Sequence, residues 1–206
     1  EITKIPRPSK KEDKIIEYLI NFARQHKLAY KKDSTGNVVI SKAAFSGFGN
    51  RNTACLQSHL DMVCEKNSSS RHNFETDAIQ VLIDGDWVRA RDTTLGSDNG
   101  IGIAAQLAIL ADPQLKHGPL ECLFTVDEET GLNGAKSLES GFFTGKILLN
   151  LDSEDEGELF IGCAGGMNTV ATLKYKVRRT LPGSSAFRIE IGGLQGGHSG
   201  TDIHKN

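Results

Sequence analysis

LQSHLDMV, residues 56–63, sets a histidine and an aspartate two positions apart where a run of apolar residues gives out. That run, TACLQ, is of strand length, and two more apolar runs follow it, PLECLFTV and KILLNL. Each ends in ionisable groups: His59 and Asp61 after the first, Asp127, Glu128 and Glu129 after the second, Asp152 after the third. Short continuous apolar runs are the mark of strands buried on both faces of a parallel sheet. Between the first two lies GIGIAAQLAILAD, residues 100–112, with the alanine and leucine content of a buried helix closed by Asp112-Pro113. The alternation predicts an α/β layer domain with a mainly parallel central sheet.

Outward from this centre the pattern continues. Ser9 and Glu12 have capping-box spacing ahead of Ile15, Ile16, Leu19, Ile20 and Ala23, one face of a helix that should end near His26. STGNVVI gives a Gly-Asn turn into a short strand, and EKNSSSRHNFET, residues 65–76, is a polar loop. After residue 165 the pattern changes: Ala171, Leu173, Tyr175 and Val177 alternate with polar residues, as do Phe187, Ile189 and Ile191. Strict alternation predicts half-exposed antiparallel strands. The division is therefore 1–165, a first domain, and 166–206, the beginning of a second.

With 206 residues, 38% of them apolar and 24% charged, the chain has the composition of a globular protein and buries roughly 70% of its unfolded surface. A net charge of −2 provides no basic field for nucleic acid or anionic lipid, so neither nucleic acid nor membrane is expected as a partner. Cys55, Cys64, Cys122 and Cys163 lie far apart without a CxxC pair and read as reduced thiols of a cytoplasmic protein. No stretch has the 18 apolar residues of a membrane span.

In open α/β sheets ligands bind outside the carboxyl ends of the strands, so the three groups of ionisable residues should converge in one crevice. Gathering that many carboxylates is costly unless a cation compensates them. Imidazole with carboxylate suits zinc, cobalt or manganese. On a strand, residues i and i+2 face one side, so Asp61 is placed to fix the tautomer of a metal-binding His59. Glu128 and Glu129, after a buried strand and before Thr130-Gly131, divide into a metal ligand and a general base. Gly100-Ile101-Gly102 with Ala105 also matches a GxGxxA dinucleotide fingerprint, which supports a rival reading as a nucleotide-binding oxidoreductase. That fingerprint requires a strand directly before its first glycine, whereas polar TTLGSDN intervenes and Asp98 would repel a pyrophosphate. Asp98 reads better as a metal ligand on a tight loop, with Gly100 and Gly102 allowing close approach of the next helix.

SHLDMV, TTLGSDNGIG, TVDEETGLNGA, LNLDSE, IGCAGG and GGLQGGHSG stand in the order and approximate spacing of the dinuclear zinc aminopeptidase and deacylase family of metallopeptidases. Within it the chain resembles the aminoacyl-histidine (Xaa-His, β-alanyl-histidine) dipeptidase branch, by CAGG and the long TTLGSDNGIG loop. The resemblance covers almost the whole chain. It implies a zinc-aminopeptidase-like catalytic domain followed by the start of an inserted α+β lid and dimerisation domain. It further implies two Zn2+ ions, with Co2+ or Mn2+ as alternatives, and metal-dependent hydrolysis of small peptides, Xaa-His or carnosine-like dipeptides. A related aminopeptidase or N-acyl amino acid deacylase is the alternative within the family. His59 and Asp152 would hold one metal, Asp98 would bridge, and Glu129 would hold the other. Asp61 would orient His59, Glu128 would act as the base, and His198 would stabilise the oxyanion, across a homodimer interface in relatives.

Two departures stand out. Arg91-Asp92 precede TTLG where a small residue is expected, so Asp92 either alters the loop's backbone or adds an acid near the site. The family's last metal ligand, a histidine far along a longer chain, has no counterpart in the context of His26, His72, His117 or His204. The resemblance therefore implies an N-terminal fragment, inactive alone.

Overall fold

The computed structural model describes residues 1–153, 156–162, 167 and 169–190. Inter-residue contacts divide the chain into two units, Glu1–Ile161 and Gly162–Asn206.

In the first unit, strands β1 (Ala29–Lys32), β2 (Val38–Lys42), β3 (Ala54–His59), β6 (Leu120–Thr125) and β7 (Ile147–Asn150) form a five-stranded sheet in the order β1-β2-β6-β3-β7. β6, β3 and β7 are mutually parallel, and β2 is antiparallel to both β6 and β1, so only β2 runs against the other four. Between β3 and β6 in the chain come a separate hairpin, β4 (Val81–Asp84) with β5 (Trp87–Ala90), and helix α2 (Ser97–Ala111). Helix α1 (Asp13–Gln25) precedes the sheet, and a one-turn helix α3 (Asn133–Lys136) follows β6.

The strand alternation assigns each side chain a layer. Val38, Ile40, Leu56, Cys122 and Phe124 face the helical layer and pack with Ile15, Ile16, Leu19 and Ala23 of α1 and Ile103, Leu107 and Leu110 of α2. Val39, Cys55 and Leu123 point the other way, against Leu138, Phe142 and Phe143. Burying a side chain of this size contributes about 1.5–3 kcal/mol, so the doubly covered strands β3 and β6 anchor the layer. Gly102 is at the closest approach of α2 to the sheet: a Cβ there would stand 3.1 Å from Ser58 Cβ and collide with Asn99 Oδ1.

Several expectations are corrected. Ser9 and Glu12 do not form a capping box; Glu12 precedes α1 without any side-chain cap. Ser9 Oγ donates to Asp61 Oδ2 at 2.7 Å and Glu12 Oε1 accepts the Asp127 amide at 2.9 Å, so tertiary partners have claimed both side chains. β7 is the terminal strand and is exposed along its length, because it has a ladder partner on one side only among the described residues. In the second unit, residues 169–190 carry no helix and no strand. The alternating segments there find no ladder partner among the described residues, and an unpaired strand gains none of the hydrogen bonds that hold a sheet together. Asp92 takes the left-handed backbone (φ 58°) and accepts from Asn67 Nδ2 at 2.8 Å, so it shapes its loop. No strand leads directly into α2, since Arg91–Gly96 separate it from β5, and the dinucleotide arrangement is absent.

Candidate metal centre

The register sets the level at which the chemistry emerges. His59 is opposite Thr125 across the β3–β6 ladder, and Gln57 is opposite Asn150 across β3–β7. The three parallel strands thus release His59, the 126–129 turn and Asp152 at one edge. Asp98 arrives from the side, on the loop between Gly96, whose φ is +68°, and the regular part of α2.

His59 is 1% exposed and is the hub. Its Nε2 lies 2.8 Å from Asp98 Oδ1 and 3.4 Å from Asp152 Oδ1. Its Nδ1 lies 3.1 Å from the Asp61 carbonyl oxygen and 3.4 Å from the Asp61 carboxylate. The ligand atoms of His59, Asp98 and Asp152 all fall within 4.8 Å of one another, and so do those of His59, Glu128 and Glu129. One imidazole between two carboxylate pairs is a donor set suited to borderline divalent ions. The structure therefore brings together His59, Asp61, Asp98, Glu128, Glu129 and Asp152. His198 lies outside the described residues.

Asp61 does more than face the histidine. Fully buried, it accepts the Glu128 amide at 2.9 Å on Oδ1 and the Glu129 amide at 3.1 Å on Oδ2, beside the Ser9 hydroxyl. The carboxylate two residues after His59 therefore holds the backbone of the acidic pair. Burial works to raise its pKa, but the His59 ring, the two amides and Ser9 outweigh burial and bring it to about 2.

The remaining groups show mutual repulsion. Burial, then the negative charge of Asp98, pushes Glu129 up to about 7. Burial likewise raises Glu128, against the pull of His59. Asp98 is lowered, chiefly by its hydrogen bond with His59. Burial acts to lower His59, yet Asp152, Asp61 and Asp98 together raise it to about 12, so a proton on Nε2 answers the same carboxylates that a cation would.

Three contributors were not legible in the sequence. Asn99, 1% exposed, donates from Nδ2 to Asp152 Oδ1 at 2.6 Å and accepts the Gly102 amide on Oδ1 at 3.1 Å. Its only signal was the SDNG loop itself. Ser9 reads as a helix cap. Arg7, 2% exposed, donates from Nη1 to the carbonyls of Leu60 at 2.9 Å and Asp61 at 2.8 Å, and from Nη2 to the Gly96 carbonyl. Burial lowers its pKa to about 10, resisted by Asp61 and, more weakly, by Asp98 and Glu129.

A mostly parallel α/β sheet that delivers a buried histidine and clustered carboxylates to its carboxyl edge defines a protein with a candidate divalent-metal site. Residues 55–191 match the model of peptidase family M20/M25/M40, and the chain belongs to that family of metal-dependent peptidases. Over 204 residues it is 46% identical to the cytosol non-specific dipeptidase of Escherichia coli, covering 99% of this chain and 42% of the relative. The crystal structure of aminoacylhistidine dipeptidase from Vibrio alginolyticus superposes with a TM-score of 0.74 at 50% identity, over 76% of this chain and 32% of that one. A tripeptidase from Staphylococcus aureus shares the fold at 23% identity and TM-score 0.63, over 75% of this chain and 41% of its own. The chain thus spans less than half the length of these relatives.

Proposed function

We propose that the whole protein is a dinuclear, zinc-dependent dipeptidase acting on Xaa-His or similar short dipeptides. The observation that carries this reading is His59 within reach of two carboxylate pairs while Asp61 occupies its other ring nitrogen. His59, Asp98 and Asp152 would hold one ion, and Asp98 with Glu129 would contribute to the second. Bound there, divalent ions supply Lewis acidity to the scissile carbonyl and lower the pKa of the attacking water.

The chain's own residues do the rest. Glu128 takes the proton from water and later delivers it to the leaving amine, a role its raised pKa favours because a carboxylate nearer neutrality exchanges protons more readily. The higher pKa of Glu129 would by itself nominate it as the base. Burial leads that rise, and the Asp98 charge, next in size, is the part that a cation cancels, which supports Glu129 as ligand. His198 is assigned to the oxyanion by its GGHSG context alone. Of the described residues, no helix is long and apolar enough to cross a membrane. A cytoplasmic homodimer is the assembly we propose, with residues 166–206 opening the dimerisation domain.

The test is zinc titration with hydrolysis of a histidine-containing dipeptide, on the whole protein and on a His59→Ala variant. Two zinc sites with turnover in the wild type, and loss of at least the His59 zinc site together with turnover in the variant, are expected. Full turnover in the presence of a strong chelator would refute the reading.

A further inference from the structure

The feature of this site that metal chemistry does not require is a buried cation next to it. Arg7 is enclosed, and among the described residues no carboxylate stands within ion-pair distance of its guanidinium. Burying a charge is expensive unless every donor finds a partner. Here the partners are backbone carbonyls from two separate segments. Leu60 and Asp61 belong to the turn that follows His59, and Gly96 opens the loop that carries Asp98.

We propose that Arg7 is a positioning residue for the metal site, a strut that sets the spacing between the His59 turn and the Asp98 loop. The inference rests on the metal-site reading above. Three observations support it independently of charge. The Arg7 backbone travels with the His59 turn, since the Met62 amide donates to the Arg7 carbonyl at 3.2 Å and Pro8 bridges Met62. Its side chain then crosses to the other loop, two residues before Asp98. Space for it is provided by glycines: a Cβ on Gly96 would stand 2.6 Å from Nη2, and one on Gly100 would stand 2.9 Å from it. A planar fork reaching carbonyls on two segments is a task for guanidinium, which an ammonium on a flexible stem performs poorly.

The sign of the effect separates positioning from electrostatics. A positive charge near a cation site opposes binding, so if charge were the whole of its role, removing Arg7 would tighten metal binding. Positioning demands the opposite. Cobalt(II) serves as the probe, titrated into the whole protein by calorimetry and by visible absorption, which reports coordination geometry. Arg7→Met and Arg7→Lys should each weaken cobalt binding by about 10- to 100-fold, the range for residues that orient ligands, and shift the visible band at saturation. The band of folded, saturated protein is a readout that a loss of stability alone does not move. Should Arg7→Met fail to fold, Arg7→Lys and Gly100→Ala carry the test. The latter keeps the cation but drives Nη2 from its seat, and should weaken binding by about tenfold for the same reason. An Arg7→Lys variant indistinguishable from wild type, or an Arg7→Met variant that binds more tightly, overturns the strut. Wild-type protein that binds no cobalt sinks the metal reading itself, a failure distinct from the other two.

Discussion

Replacing Asp61 by asparagine tests the centre of the arrangement with a minimal change of shape. The carboxylate accepts on both oxygens, Oδ1 from the Glu128 amide and Oδ2 from the Glu129 amide and Ser9 Oγ. An amide nitrogen at either position must face a backbone N–H, so one orientation loses the Glu128 bond and the other loses the Glu129 bond. The depression from 3.8 to about 2 gives the size of the charge-dependent part: nearly two units correspond to about 2.4 kcal/mol at neutral pH. Because the folded pKa lies below the unfolded one, that stabilisation is present above the unfolded value and disappears as pH falls through the folded value. Linkage between those two values predicts that the advantage of wild type over Asp61→Asn shrinks by about 1 kcal/mol from pH 6 to pH 3. Urea unfolding of both proteins at a series of pH values measures this double difference, in which titrating groups that do not interact with Asp61 cancel. A stability gap under about 0.5 kcal/mol at pH 6, or one that does not change with pH, would show that Asp61 is not the charged anchor described.

Metal loading should release protons: at pH 7 His59, with a pKa of about 12, contributes about one and Glu129, near 7, about half of one, so calorimetry in buffers of different ionisation enthalpy should report about 1.5. Since protons compete with the ion, affinity should rise with pH, roughly tenfold per unit, and more steeply below 7; a pH-independent affinity would contradict the protonated His59. Glu128→Ala should keep its metal and lose turnover by about a hundredfold or more, and loss of metal instead would exchange its role with that of Glu129. Asn99→Ala leaves Asp152 without its 2.6 Å donor and the Gly102 amide without an acceptor, and should cost about 1–3 kcal/mol in denaturant unfolding together with weaker metal binding. Unchanged metal affinity would mean that Asp152 is oriented without Asn99.

The sequence by itself determined the layers and the crevice. TACLQ and PLECLFTV are apolar because parallel strands bury both faces, and KILLNL keeps the same kind of run although its strand is exposed at the sheet edge. Strands that run the same way must release their ends at one edge, which is enough to bring His59, Glu128, Glu129 and Asp152 together. The short strands with polar or mixed faces, AYKK at Ala29–Lys32 and the Val81–Ala90 hairpin, left no comparable pattern because little of them is buried. What only the tertiary structure decided is which polar groups support the site. Ser9 and Glu12 have the spacing of a helix cap, and local chemistry favours that use, yet their partners are Asp61 and Asp127, 52 and 115 residues away. Arg7 looks like any surface arginine between two prolines until the turn after β3 and the Gly96 loop close on it. Periodicity records which face of an element is covered, since burial acts on every residue of that face. A hydrogen bond between residues far apart in the chain leaves no periodic trace, and exists only once packing has brought its two ends within 3 Å.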